Sequence, residues 1–315
     1  MASPSTTWKE TIALDESTRF DSEADMLTSV QRRHNELNSC PGKAFHRKQI
    51  FSGRGTFEVL PDLPPYARFG VFSQSHVFQS LIRLSNGSWG NYPDSKPDFR
   101  GFAIKVLDVK GPRLNGQFSD DTHHILMVQT DPFGANSFDF IKTAQEMDAN
   151  HTEPDAEHLK FHGFTSSVFH TQTPFCVGPY AARGRLIPSQ EASNALASAE
   201  VGASLVPRLP FTWKYQLQFY VNDSATPIED ATKPWDEKES PFITVASLYI
   251  PEQETSLSFR EDIHTSPFYL WDTIEAHRPL GEVNRARRVV MRASVRTRRA
   301  YADGDERSSP NSATK

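Results

Sequence analysis

An α+β fold built round a large antiparallel sheet or barrel is the architecture that this 315-residue sequence predicts. Strand-like apolar runs recur through both halves of the chain, separated by Pro-rich joints. Helical periodicity is confined to three stretches, the last of them close to the C-terminus. At 37% hydrophobic and 11% aromatic content, 315 residues can bury the core of one large domain or two modest ones.

The elements follow in order. Residues 1–21 are polar and read as a loose start. Ser22 to Leu37 reads as a helix, with Met26, Leu27, Val30 and Leu37 on one side. Strands are expected at Gly55 to Leu60, Tyr66 to Phe72, Ser80 to Leu84, Gly101 to Val109 and His124 to Gln129, with Pro61, Pro64, Pro65, Pro93 and Pro97 in the joints. A helix at Ser137 to Asp148 follows, with its aromatics on the inner face. Residues 187–210 are low in aromatics and read as a linker or inserted surface loop. Lys214 to Val221 (KYQLQFYV) alternates as a half-buried strand does, and Phe242 to Ile250 reads as another. A helix over His277 to Arg299 closes a single domain of 22–301, and 302–315 reads as a disordered tail.

Charge and composition exclude several function classes. A net charge of -5 argues against a general nucleic-acid binder, because phosphate neutralisation needs a basic excess. No apolar run is long enough to span a bilayer, and MASPSTTWKE lacks the pattern of a secretory leader. Cys40 and Cys176 form no metal-spacing motif and read as reduced thiols of a cytoplasmic protein. His158 and His162 have the i, i+4 spacing of a helical metal pair without the Glu of the zinc-protease motif, and read as a surface pair. His123 and His124 begin a strand, so only one of them is expected to face inward. No Gly-rich phosphate loop or Ser nucleophile elbow is present.

The terminal helix carries Arg285, Arg287, Arg288, Arg292, Arg296, Arg298 and Arg299 around Val289, Val290, Met291 and Val295. Arg288, Arg292 and Arg296 share one face at i, i+4 spacing and read as solvated or paired with acids; Arg287 and Arg298 are expected inside. Two earlier blocks are equally distinctive. Lys43-Ala-Phe-His46 leads into Gly55-Thr-Phe-Glu-Val59, and Arg83-Leu-Ser85-Asn86-Gly87 is followed by Asp98-Phe-Arg100-Gly-Phe-Ala-Ile-Lys105.

With TPIEDATKPW, SPFITVASLYIP and HRPLGEVNRAR, these blocks resemble the haem catalase superfamily over roughly residues 40 to 300. The nearer resemblance is to its short catalase-related branch of small peroxidases and allene oxide synthase-type enzymes. The resemblance implies a catalase-like antiparallel β-barrel with surrounding helices, haem b as cofactor, a small-molecule substrate such as an organic peroxide, and a homodimer or homotetramer. It places His46 as the distal acid/base and Ser85 as its support. Gln129 or Thr130 stands at the distal amide position, depending on one gap. Lys43, Arg83 and Arg298 would serve the haem propionates, whose two carboxylates need cations where water is scarce. Arg287 would lie one turn from the axial ligand.

At that axial position the family has tyrosine and this chain has Met291. Ser294 and Arg298 keep their spacing, and Tyr301 lies about 15 Å further along a helix. A thioether is neutral and favours reduced iron, whereas tyrosinate donates charge to ferric iron. The expected function is therefore a haem oxidoreductase with an atypical proximal site, and ordinary catalase turnover is not implied. The alternative is a catalase fold that has lost haem and uses its cavity for non-haem chemistry or binding. A third reading, a basic helix that docks an acidic partner, leaves His46, Arg83 and Ser85 without a role.

Overall fold

Period-two alternation decides the sheet. In the strand Phe211–Phe219, Phe211, Trp213, Tyr215, Leu217 and Phe219 point into the core, while Thr212, Lys214 and Gln216 face the other way. A computed structural model of the chain describes residues 3–90, 93, 96–114, 118–119, 121–150, 152, 161–189 and 207–304. The strands are β1 (Gln49–Val59), β2 (His76–Asn86), β3 (Arg100–Leu107), β4 (Thr122–Val128), β5 (Phe169–His170), β6 (Phe175–Val177), β7 (Tyr180–Pro188), β8 (Phe211–Phe219) and β9 (Ile243–Ile250). The helices are α1 (Glu16–Asn38), α2 (Ser137–Ala149), α3 (Leu257–Thr265) and α4 (Glu282–Ala302).

All the pairings are antiparallel, in the order β5-β4-β3-β2-β1-β9-β8-β7-β6, and β5 also pairs with β7. That last pairing closes an eight-stranded barrel, with β6 appended to β7 outside the ring. The barrel is filled, not hollow. Phe57, Phe102, Phe169, Trp213 and Tyr215 are fully buried within it, and Trp213 Nε1 donates to the Phe164 carbonyl at 3.1 Å. Phe102 packs edge-on against Phe164, Phe169 and Trp213, the arrangement that aromatic quadrupoles favour.

Several expectations are revised by this architecture. Tyr66 to Phe72 is not a strand but two 3-10 turns, Pro65–Ala67 and Gly70–Phe72; Pro64 and Pro65 set the first, and Gly70 at φ +56 opens the second. Helix α2 forms as expected but buries Ser137, Ile141, Ala144 and Asp148, leaving Phe138 and Phe140 partly exposed. His123 and His124 do alternate, yet both are buried. His123 sits on the core side against His277 and Thr273, and His124 on the outer side, where Tyr269 N donates to its Nδ1 at 3.0 Å. Segment 268–273 covers the wall there. His158, residues 190–206 of the expected excursion and residues 305–315 of the expected tail lie outside the described residues.

The start of the chain, expected to be loose to residue 21, carries the first turn of α1 from Glu16 and, before it, a strap across the barrel end. Ser5 N donates to Tyr220 O, Trp8 Nε1 to Pro179 O and Thr11 N to Glu229. The strap's acidic residues hold the N-terminus of α4. Arg285 donates to Glu16 at 2.7 and 2.8 Å, to Glu10 at 2.8 Å and to Glu229 at 3.0 Å. Gly281, just ahead of α4, has φ +85, and a Cβ there would lie 2.5 Å from the Ile228 carbonyl oxygen. The cage joins three segments distant in sequence. We expect Arg285→Met to strand its part-buried carboxylates and cost about 3 kcal/mol, read as a Tm lower by roughly 6–10 °C. Arg296→Met, on the exposed face, should move Tm by no more than about 1–2 °C; equal shifts for the two would refute the cage.

Candidate functional site

The site lies on the outside of the barrel wall, between it and the terminal helix. On β2, Ile82 and Leu84 enter the core, so Arg83 and Ser85 must face outward. Across the ladder Arg83 pairs with Ala103 and Ser85 with Gly101 on β3, so the wall beside them is floored by small residues. Lys105, on the same outward row, stands opposite His124 of β4.

His46 arrives from the segment ahead of β1, with a left-handed backbone (φ +55) that turns its ring onto this floor. Its Nδ1 lies 3.1 Å from Ser85 Oγ, and its N–H donates to the Gly87 carbonyl at 2.8 Å. A Cβ on Gly101 would come within 2.5 Å of His46 Nδ1 and 2.9 Å of Ser85 Oγ. Only glycine leaves room for the pair. Arg83 Nη2 donates to the His46 carbonyl at 2.7 Å and to the Arg47 carbonyl at 3.2 Å, fixing the same turn from below.

Around this pair the structure gathers positive charge. Lys43 Nζ donates to the carbonyls of His264 (2.6 Å) and Ser266 (3.2 Å). Arg298 Nη2 donates to the Thr265 carbonyl at 2.8 Å, and Lys105 Nζ to Ser266 Oγ at 2.6 Å. All three address the C-terminal turn of α3, where a helix concentrates partial negative charge. Among the described residues Arg287 makes long contacts, 3.4 Å to Asn284 Oδ1 and 3.5 Å to Thr173 Oγ1. Among the described residues none of Lys43, Arg83, Lys105, Arg287 and Arg298 makes an ion pair with a carboxylate, and Arg83 Nε is buried without an acceptor.

This crowding shapes the acid–base chemistry. Burial, then the charges of Arg83 and Arg287, press His46 down to about 3, so the imidazole is neutral at physiological pH. Burial and the neighbouring Arg83, Arg298 and Lys105 hold the Lys43 amine well below the usual lysine range. Burial pushes Lys105 down to about 8, with Asp272 opposing. The arginines are also disfavoured by burial, but guanidinium stays charged. Lys43, His46 and Arg287 are each half-buried.

The structure brings together His46, Ser85, Lys43, Arg83, Arg287 and Arg298. Met291 is half-buried on the face of α4 that carries Arg287 and Arg298, at i+4 from the first and i−7 from the second. Gln129 and Thr130 are engaged elsewhere: Gln129 Oε1 accepts from Arg100 N at 3.2 Å, and Thr130 Oγ1 from Gln172 Nε2 at 2.9 Å. Arg288 is exposed and its guanidinium lies 4.8 Å from the Trp271 ring, while the Tyr301 hydroxyl donates to Asn35 O at 3.2 Å, away from the site. Lys105 and Ser266 were not singled out by sequence reasoning. Lys105 ends the Arg100-Gly-Phe-Ala-Ile-Lys105 alternation, and a lysine inside a strand of buried residues was the available signal. Ser266 carries no signal in sequence. Both cysteines are free thiols, Cys40 exposed and Cys176 buried.

No known family model and no curated protein sequence matches the chain. Solved structures do. A fungal catalase aligns with a TM-score of 0.60 at 16% identity over 95% of this chain and 66% of its own length. Catalase A from Saccharomyces cerevisiae aligns at 0.54 and 15% over 96% and 66%, and a bacterial catalase at 0.55 and 14% over 99% and 64%. The fold is that of the catalases: a closed antiparallel barrel with flanking helices. The chain spans just under two thirds of the length of these proteins, and at such identities the likeness is one of fold. Among the described residues, no helix is long and apolar enough to cross a membrane, and no group of three or more His, Cys, Asp or Glu is placed to hold a metal ion.

Proposed function

We propose that the chain is a catalase-related oxidoreductase of the short-branch type, holding haem between the barrel wall and α4 and acting on an organic peroxide or another small oxidisable molecule. The observation that carries this reading is the His46–Ser85 pair set among interior cations with no carboxylate partner among the described residues. Lys43, Arg83 and Arg298, answered by backbone carbonyls and by no carboxylate among the described residues, call for an anionic ligand. Haem brings two carboxylates, and Lys43, Arg83 and Arg298 are the residues to receive them. On this test the propionate side fits.

The proximal side fits less well. Met291 offers a neutral sulfur in place of an anionic oxygen, and Arg287 then has no phenolate to hold ionised. When bound, haem supplies the redox chemistry. This chain's own residues do the rest. With Ser85 Oγ accepting from Nδ1–H, the Nε2 of His46 is the free base that takes a proton from a peroxide oxygen and returns it to the other. At about 3 that base is weak. Carboxylates bound near Arg83 would offset the charge that depresses it and raise its basicity.

The experiment is haem titration of protein expressed with a haem precursor. A strong Soret band with near-unit occupancy supports the reading, and Met291→Tyr should then bind ferric haem more tightly than the parent. A folded, colourless protein that takes up no haem rejects it. The second reading, a fold that has exchanged haem for non-haem chemistry, is favoured by Met291 alone.

A further inference from the structure

We propose that the barrel interior, at the end next to the first turns of α4, is a binding site for a single water held between the Tyr215 hydroxyl and the His123 ring. This goes beyond the haem reading and does not depend on it.

The strands dictate the setting. Tyr215 of β8 points into the barrel, where its ring stacks on Phe72 and meets Phe57 edge-on. The residue is fully buried, and its hydroxyl has no hydrogen-bond partner among the described residues. It lies against Gly184 of β7, where a Cβ would collide with it. Gly184 cannot answer it from the backbone, because its N–H is already given to Thr171 Oγ1 at 3.0 Å. A buried hydroxyl without a partner is costly, and native interiors rarely keep one.

A small polar cavity adjoins that hydroxyl. It measures about 20 Å³, and its wall includes Tyr215, His123, His277, Thr171, Thr173 and Asn284, all of them buried. An internal water needs roughly 10–15 Å³ and two to four polar partners. Most polar atoms of this wall are committed. His277 Nδ1 donates to the Cys176 carbonyl at 3.0 Å, and its Nε2 accepts from Val71 N at 2.9 Å. Thr171 Oγ1 donates to the Thr173 carbonyl at 3.2 Å, and Thr173 Oγ1 to Asn284 Oδ1 at 2.9 Å. Asn284 Nδ2 serves the carbonyls of Pro174 and Leu280, each at 2.9 Å. His123 spends Nδ1 on Thr273 Oγ1 at 2.7 Å. Of these six side chains, Tyr215 and His123 are left with a hydrogen-bonding group to satisfy, Oη on one and Nε2 on the other. A hydroxyl donates and accepts, and Nε2 does one or the other according to tautomer. Water matches either case. An apolar cavity of this size would stay dry, and this one is not apolar.

The same wall reaches the candidate site. Thr173 Oγ1 and Asn284 Oδ1 are the two atoms that Arg287 Nη1 approaches, at 3.5 and 3.4 Å. The water site and Arg287 therefore share two wall residues, one on each side of them.

The test is a high-resolution crystal structure of the protein as purified, with Tyr215→Phe beside it. The parent should show one ordered water within hydrogen-bond distance of both Tyr215 Oη and His123 Nε2. Tyr215→Phe, which keeps the ring and its packing, should lose it. Thermal melting reads the same point through its sign. Removing a hydroxyl that water satisfies loses a hydrogen bond and should lower Tm by about 2 °C; removing one that nothing satisfies relieves a buried polar group and raises Tm. Crystals of the parent pressurised with xenon should show no xenon in the cavity, because xenon enters dry apolar ones. Xenon at the site, a water retained in Tyr215→Phe, no water in the parent, or a raised Tm overturns the proposal. Failure of the haem reading shows in the Soret band and leaves this result unaffected.

Discussion

Acidification from pH 7.5 to pH 5 should lower the Tm of this protein steeply. The cause is a set of histidines that the fold keeps neutral. His46 is pressed down to about 3, His170, His264 and His277 to about 4, and His123 and His124 well below the ordinary range, in each case chiefly by burial. In the unfolded chain each titrates near 6.5. Below that pH the unfolded state binds protons that the folded state refuses, so stability is complete above about 6.5 and falls as pH drops towards the folded values. Each such histidine contributes up to ~1.4 kcal/mol per pH unit. Even a quarter of the combined slope would remove ~4 kcal/mol over two units, against a typical total of ~5–15. Asp272 and Glu23, raised by burial, act in the opposite sense but are fewer. A melting temperature that stays flat between pH 7.5 and 5 would sink this account.

His46→Gln should reduce hydroperoxide turnover of the haem-loaded protein by roughly 10²–10⁴, the usual contribution of a positioned acid–base group. Glutamine keeps a polar side chain of similar size on the Gly101 floor but cannot carry a proton between two oxygens. Haem occupancy should be little changed, because on the proposed reading Lys43, Arg83 and Arg298, not His46, would receive the propionates. The split between retained Soret absorbance and lost turnover separates a proton-handling role from a structural one. Ser85→Ala gives the milder companion, since it frees the ring that Ser85 Oγ fixes at 3.1 Å. Unaltered turnover in His46→Gln would remove His46 from the chemistry.

Much of the scaffold was legible because it follows from local rules. The alternation in Lys214 to Val221 names the inward side chains of β8, and the spacing of Arg287 and Arg298 places both on one face of α4. The errors fall where a neighbour overrides the local pattern. Glu10 and Glu16 look like solvated charges in a polar leader until Arg285, some 270 positions away, is folded against them. His124 faces outward as alternation requires, but Tyr269 and its neighbours cover it. The short strands β5 and β6, the nine-residue β7 and helix α3 also escaped notice. Two- and three-residue strands have no period to detect, and α3 buries only Ile263.

The sequence by itself determined the barrel, the terminal arginine helix, the convergence of His46, Ser85 and Arg83, and the presence of Met291 where the resemblance expects tyrosine. The sheet and the helix are matters of periodicity and spacing, which a linear chain records; the grouping of His46, Ser85 and Arg83 and the tyrosine expected at Met291 are what the family resemblance implies. Tertiary structure alone decided that the barrel is filled with aromatic side chains and that the site lies outside its wall. It alone set the carbonyls of His264, Thr265 and Ser266 against Lys43 and Arg298. The protonation of Lys43 and His46 depends on charge brought together from β2, β3 and α4. Electrostatic energy is set by distance in space, and separation along the chain does not reveal it.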